Sequence, residues 1–218
     1  MRHQAFARYV WPLCLVLMVA LAGCASKAQR PSAPLAGVSV GIVGVVQPMG
    51  TTDLLAGYIP ENRELASEQA MLDFDTDLLD KVRAEADSAR EIVPLPGEQG
   101  VNPSSARVAG RNTALQHWIE VGRKAGVDLL IVPQILDWHE RQGSTAGVTE
   151  PAHVRVEFFL INIANGSIMS RSVFEERQEG LVDNLMNVGT FFKRRGQWVT
   201  AEELTEDGMR KAVKDMGL

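Results

Sequence analysis

The chain has 218 residues, of which 45% are hydrophobic, 22% charged and 6% aromatic, a globular mix that excludes collagen-like, low-complexity and polytopic membrane classes. Its 22 Lys and Arg stand against 27 Asp and Glu, a formal charge of -5. With no basic excess to neutralise a phosphate backbone, nucleic acid is not an expected partner.

Residues 1–9 carry Arg2 and Arg8 and no acid, and residues 10–20 are an almost purely apolar run, together the n-region and h-region of an export signal. The run is too short for a transmembrane helix, which needs about 20 apolar residues. Leu21-Ala22-Gly23-Cys24 follows it, an aliphatic residue, two small residues and a cysteine, and resembles the lipobox of bacterial lipoproteins residue by residue. The resemblance implies cleavage before Cys24 and acylation of its thiol and new amino group, with palmitate among the chains, leaving 195 of the 218 residues. Ala25 and Ser26 stand where an Asp would favour the inner membrane, so the expected location is the outer membrane, facing the periplasm. Cys14 is discarded with the signal, so the mature chain forms no internal disulfide. Losing two arginines takes the charge from -5 to -7, which opposes attraction to an anionic membrane face and leaves the acyl chains as the anchor.

Residues 24–37 form the lipidated cysteine and a Ser-, Ala- and Pro-rich tether, whose last 13 residues reach at most about 45 Å. Residues 38–218 are expected to form a single α/β domain. Its first segment, 38–46, is a β-branched strand ending at Gln47-Pro48. Gly41 and Gly44 do not build a dinucleotide loop, because Pro48-Met49-Gly50-Thr51 follows in place of a helix. Residues 64–90 read as a helix with an apolar stripe of Met71, Phe74, Leu78, Val82, Ala86 and Ala89. Asp73, Asp75, Asp77 and Asp80 begin like a calcium loop, but Leu78 and Ala84 occupy the positions that need glycine and glutamate, so a solvated helix face is expected.

A short strand at 91–95 and a polar loop at 96–111 come next. A helix at 113–125 puts Leu115, Trp118, Ile119, Gly122 and Ala125 on one face, with Gly126 as its cap. An apolar strand at 127–135 completes an alternating pattern that predicts a partly parallel sheet. Segments 153–163 and 167–175 read as a hairpin around Asn165-Gly166, with a two-residue turn. Val154, Val156, Phe158 and Leu160 share one face and Phe159, Ile161 and Ile163 the other, so its latter half is covered on both sides. Thr200 and Glu203 form a capping box before a helix striped with Leu204, Gly208, Ala212 and Met216. The expected fold is therefore α/β with an α+β tendency: a mixed sheet with a parallel part, a C-terminal antiparallel hairpin, and helices packed on it.

Three passages carry a family resemblance: the strand 38–46; Ala125-Gly126-Val127-Asp128-Leu129-Leu130-Ile131; and the hairpin from Phe159 through Asn165-Gly166 to Ser170. Together, over residues 38–176, they resemble the α/β periplasmic domains of envelope lipoproteins related to CsgG, LpoB and the N-terminal domain of TolB. The resemblance implies a non-catalytic envelope assembly or accessory protein that acts on a protein partner, with a homo-oligomer and a ring-forming secretion subunit as alternatives. A CsgG-type pore needs spare amphipathic hairpins of about 9–11 residues per strand, and the chain shows none beyond those its sheet uses.

Sites for chemistry are few. Gly37-Val38-Ser39-Val40-Gly41 fits GxSxG as a string but opens a strand and is not a strand-to-helix elbow, no P-loop or CxxC occurs, and neither a catalytic residue, a cofactor nor a metal is expected. His117, His139 and His153 show no ligand spacing. Asp137, His139 and Glu140 form the alternative reading, a metal or acid–base site of a periplasmic hydrolase, with a surface cluster favoured over it. The expected partner-binding feature is a basic turn, Lys193-Arg194-Arg195, flanked by Phe191, Phe192 and Trp198 and suited to an anionic partner in the envelope.

Overall fold

A computed structural model describes residues 37–86, 90–95, 113–178 and 197–218. The export signal, Cys24, the tether up to residue 36, the loop 96–111, and Phe191, Phe192, Lys193, Arg194 and Arg195 lie outside the described residues. The elements run β1 (Val40–Val43), α1 (Glu68–Glu85), β2 (Ile92–Leu95), α2 (Ala114–Ala125), β3 (Leu129–His139), β4 (Gln142–Ser144), β5 (Gly147–Glu150), β6 (His153–Asn162), β7 (Ser167–Arg177) and α3 (Ala201–Met216).

Five strands make one sheet in the order β2-β1-β3-β6-β7, and β4 pairs with β5 apart from it. β1 lies parallel to both β2 and β3, whereas β3, β6 and β7 are antiparallel neighbours. This is the mixed α/β sheet the sequence pattern predicts, with its parallel part toward the N-terminus and a hairpin toward the C-terminus.

Alternation along the strands sends two apolar sets to opposite faces. Val154, Val156, Phe158 and Leu160 of β6 pack under α1 and α3, where Phe74, Leu78, Leu204 and Met216 meet them. Phe159, Ile161 and Ile163 pack on the other face with Trp118 and Ile119 of α2. Each helix starts on a hydroxyl that satisfies an orphan N–H: Ser67 accepts from Ala70, Thr113 from Gln116, and Thr200 from Glu203. α2 ends on Gly126 at φ 71°. The Asp128 carboxylate beyond it accepts the Ser39 backbone N–H at 2.9 Å and the Ser39 hydroxyl at 2.8 Å, joining the entries of β1 and β3. The Ser39 hydrogen bonds, hydroxyl first, hold the Asp128 pKa below the ordinary carboxylate value.

Several details differ from the sequence reading. α1 spans Glu68–Glu85 and not 64–90, because the Ser67 hydroxyl caps its start and Ala86 turns extended at its end. β1 is shorter than 38–46, and Val46 rejoins the sheet as an isolated bridge to Gln134. β3 runs on to His139 through a bulge between Ile135 and Asp137. The β4–β5 hairpin was not read from sequence, because Gln142-Gly143-Ser144 carries no apolar alternation. The β6–β7 turn has four residues, 163–166, since Asn162 pairs with Ser167; the Asn162 side chain accepts the Asn165 N–H at 3.1 Å, and Gly166 supplies φ 69°.

α3 lies close on β7 because Gly208 has no side chain. A Cβ there would stand 2.6 Å from the Phe174 ring. Gly208→Ala is expected to destabilise the fold by about 1–3 kcal/mol through overpacking, even though alanine gains about 1 kcal/mol in helix propensity. Urea denaturation would show it as a lowered midpoint with an unchanged slope.

Candidate functional site

The bulge in β3 sets the chemistry of one end of the sheet. Ile135 stands opposite Val156 and Asp137 opposite Arg155, so the extra residue turns Asp137 away from the face of Ile135 and toward that of Arg155. His139 is then the direct cross-strand partner of His153. Asp137 gathers both imidazoles: His139 Nε2 is 2.9 Å from Oδ1 and His153 Nδ1 is 3.2 Å from Oδ2. The two rings stack with centroids 5.7 Å apart and planes at 25°.

Each outer nitrogen faces a second carboxylate, His139 Nδ1 toward Glu64 at 3.4 Å and His153 Nε2 toward Glu175 at 3.9 Å. The Glu64 backbone N–H donates to Asp137 Oδ1 at 2.9 Å, and the Glu64 carbonyl accepts the Trp138 N–H at 3.2 Å, so this segment is pinned to β3. The Asp137 side chain is 5% exposed, those of His139 and His153 30% and 22%. Burial, the largest influence, lowers the pKa of His153; the Asp137 charge opposes that and the His139 charge adds to it. Donor atoms of Asp137, His139 and His153 all lie within 4.8 Å of one another, the spread of a set that can hold a metal ion. Among the described residues neither imidazole has a serine, threonine or cysteine as hydrogen-bond partner.

A second polar group continues along the same face. Glu157 is fully buried and binds Arg171 through a two-point fork, Nε to Oε2 and Nη2 to Oε1, each 2.9 Å. Arg155 Nη2 reaches Glu157 at 3.4 Å, and Nη1 bonds the Glu175 carboxylate and, at 3.0 Å, the Tyr58 hydroxyl. The Tyr58 ring lies 4.4 Å from the Arg155 guanidinium. Gly57, at φ 82°, lets this loop touch Glu157; a Cβ there would come within 2.9 Å of Oε1. Gln134 fixes the loop from below, accepting the Leu55 N–H at 3.2 Å and donating to the Asp53 carbonyl at 3.0 Å.

Asp137 and His139, singled out in the sequence, do come together, but Glu140 does not join them. It accepts the Trp138 indole N–H at 2.8 Å and the Ala201 N–H at 3.3 Å, placing it at the start of α3. The third member is His153, which sequence spacing alone did not connect. His117 sits on α2, edge-on to Trp118 at 4.9 Å. Of the expected partner-binding residues Trp198 is described: its N–H donates to the Thr145 carbonyl and its own carbonyl accepts from Arg141, tying the segment to the β4–β5 turn. Among the aspartates of α1, Asp75 leaves the solvated face and accepts the Val45 N–H at 2.6 Å. Burial pushes its pKa up to about 6 against the lowering effect of that bond.

No family model and no curated protein matches the chain. Solved structures resemble it distantly. A PelC dodecamer from Paraburkholderia phytofirmans is 12% identical, with 87% of this chain and 94% of that chain covered and a TM-score of 0.49. Lipoprotein GNA1162 from Neisseria meningitidis is 11% identical over 73% and 95%, with a TM-score of 0.35. The LpoB C-terminal domain from Salmonella enterica is 12% identical over 70% and 92%, with a TM-score of 0.33. At these identities the roles of those proteins do not transfer, and the functional reading rests on this chain's own residues.

Proposed function

We propose that the chain is an outer-membrane lipoprotein, acylated at Cys24 and facing the periplasm, whose body over residues 38–218 is a non-catalytic assembly or accessory factor that binds a protein of the envelope. The observation that carries this reading is Leu21-Ala22-Gly23-Cys24 placed directly after the apolar run 10–20. Among the described residues no helix is long and apolar enough to cross a membrane, and the reading puts attachment in the acyl chains. Its mechanism is local concentration: the lipid and a short tether confine the body to a thin shell at the membrane, which raises its effective concentration toward other tethered proteins. Lys193, Arg194 and Arg195, with Phe192 and Trp198 beside them, supply the cationic, aromatic-edged contact for an anionic partner.

Replacing the acylated thiol tests the reading. Cys24→Ser should abolish incorporation of a clickable palmitate analogue and move the protein from the membrane pellet to the soluble envelope fraction. An intact mass of the natural protein showing an unmodified Cys24 sulfur, or an unchanged distribution of the variant, would overturn it.

A further inference from the structure

We propose that Asp137, His139 and His153 form a mononuclear zinc site at the β3–β6 end of the sheet, with one Asp137 carboxylate oxygen, His139 Nε2 and His153 Nδ1 as ligands and a water in the fourth position. Three features of the geometry point to it. First, the ligand atoms already converge, within 4.8 Å of one another, with His139 Nε2 at 2.9 Å and His153 Nδ1 at 3.2 Å from the carboxylate. A tetrahedral zinc ion with bonds of about 2.0–2.1 Å holds its ligands about 3.3 Å apart, so small side-chain rotations suffice.

Second, the nitrogens that would not bind metal each face a carboxylate, Glu64 for His139 at 3.4 Å and Glu175 for His153 at 3.9 Å. Metal-ligating histidines characteristically donate their other N–H to such a group, which fixes the tautomer and makes the ligand more basic. Third, the carboxylate at the centre is buried and pinned by the Glu64 N–H, while the imidazoles are open enough for an ion and a water to enter. Two nitrogens and one oxygen suit zinc over magnesium or calcium, which take oxygen ligands. Glu175 also bonds Arg155, so an occupied site would couple directly to the buried Glu157 network.

The competing account is a cluster held together by imidazole N–H donation to Asp137 alone, and the test separates the two. The full chain, labelled with 15N, purified in detergent and stripped with EDTA, is titrated with ZnCl2 while imidazole resonances are followed. One equivalent should shift the signals of His139 and His153 and leave His117 unmoved, while MgCl2 moves none of them. Zinc at about 100 times its Kd should raise Tm by about 5–10 °C. His139→Ala and His153→Ala should each weaken zinc binding at least about 10-fold, and Glu175→Gln by about 10-fold through the outer contact. Absence of a saturable one-ion stage, equal shifts at His117, or unchanged affinity in both alanine variants would overturn the site. If an alanine variant does not fold, the imidazole shifts of the unmodified protein still decide.

Discussion

Glu157→Ala is expected to destabilise the protein by about 3–5 kcal/mol, as removal of one partner from a buried ion group does, against a total of about 5–15 kcal/mol for an ordinary domain. Glu157 has no solvent exposure, and its two oxygens hold the Arg171 fork while Arg155 lies 3.4 Å away. Truncation leaves Arg155, a residue 7% exposed, with the half-exposed Glu175 as its remaining carboxylate. The loop carrying Gly57 and Tyr58 loses its floor at the same time. Glu175→Ala provides the contrast: its side chain is 47% exposed, so water replaces it and a loss nearer 1 kcal/mol is expected. Among the described residues buried Arg155 Nε has no hydrogen-bond partner, so the group is imperfectly compensated there. Replacing all three charges together, Arg155→Met with Glu157→Leu and Arg171→Met, should therefore cost less than Glu157→Ala alone. Guanidinium denaturation of the three variants checks the order; a Glu157→Ala loss equal to that of Glu175→Ala would show that burial does not set the scale.

Phe158→Ala should cost a similar amount, about 3–5 kcal/mol, by a different route. Phe158 is fully buried on the central strand pair, opposite Pro133 of β3 and Ser172 of β7, and its ring stacks on Phe74 of α1 at 6.0 Å with planes at 15°. Truncation removes a large apolar surface and leaves a cavity that strands fixed on both sides cannot close. A cycle with Phe74→Leu and Phe158→Leu should reveal a coupling of about 0.5–1.5 kcal/mol from the ring pair itself. Additive losses in that cycle would mean that α1 and β6 are held by burial alone.

The sequence made the local signals plain and the cross-chain pairings obscure. Thr113, Gly126, Thr200 and Glu203 marked helix ends because capping is decided within four residues, and the two apolar faces of β6 followed from alternation. The Ala-Gly-x-Asp passage is visible as a pattern, while the reason for its aspartate, the two hydrogen bonds it accepts from Ser39, lies 89 residues away. His153 escaped for the same cause: its place beside His139 depends on the β3–β6 register and on a bulge that no residue type between Ile135 and Asp137 announces. The Arg155–Glu157–Arg171 group belongs to no sequence motif, and its burial comes from the loop around Gly57 and Tyr58 folding over it.

The change of strand direction at β3 also biases the order in which the chain assembles. β6 meets β7 across a four-residue turn, whereas Val40 must find Leu129 across most of the intervening polypeptide before the parallel pairing forms. Closing so long a loop carries an entropic penalty that the hairpin avoids. The topology thus favours a C-terminal nucleus onto which the N-terminal strands dock late, leaving the residues nearest the tether as the last to be secured.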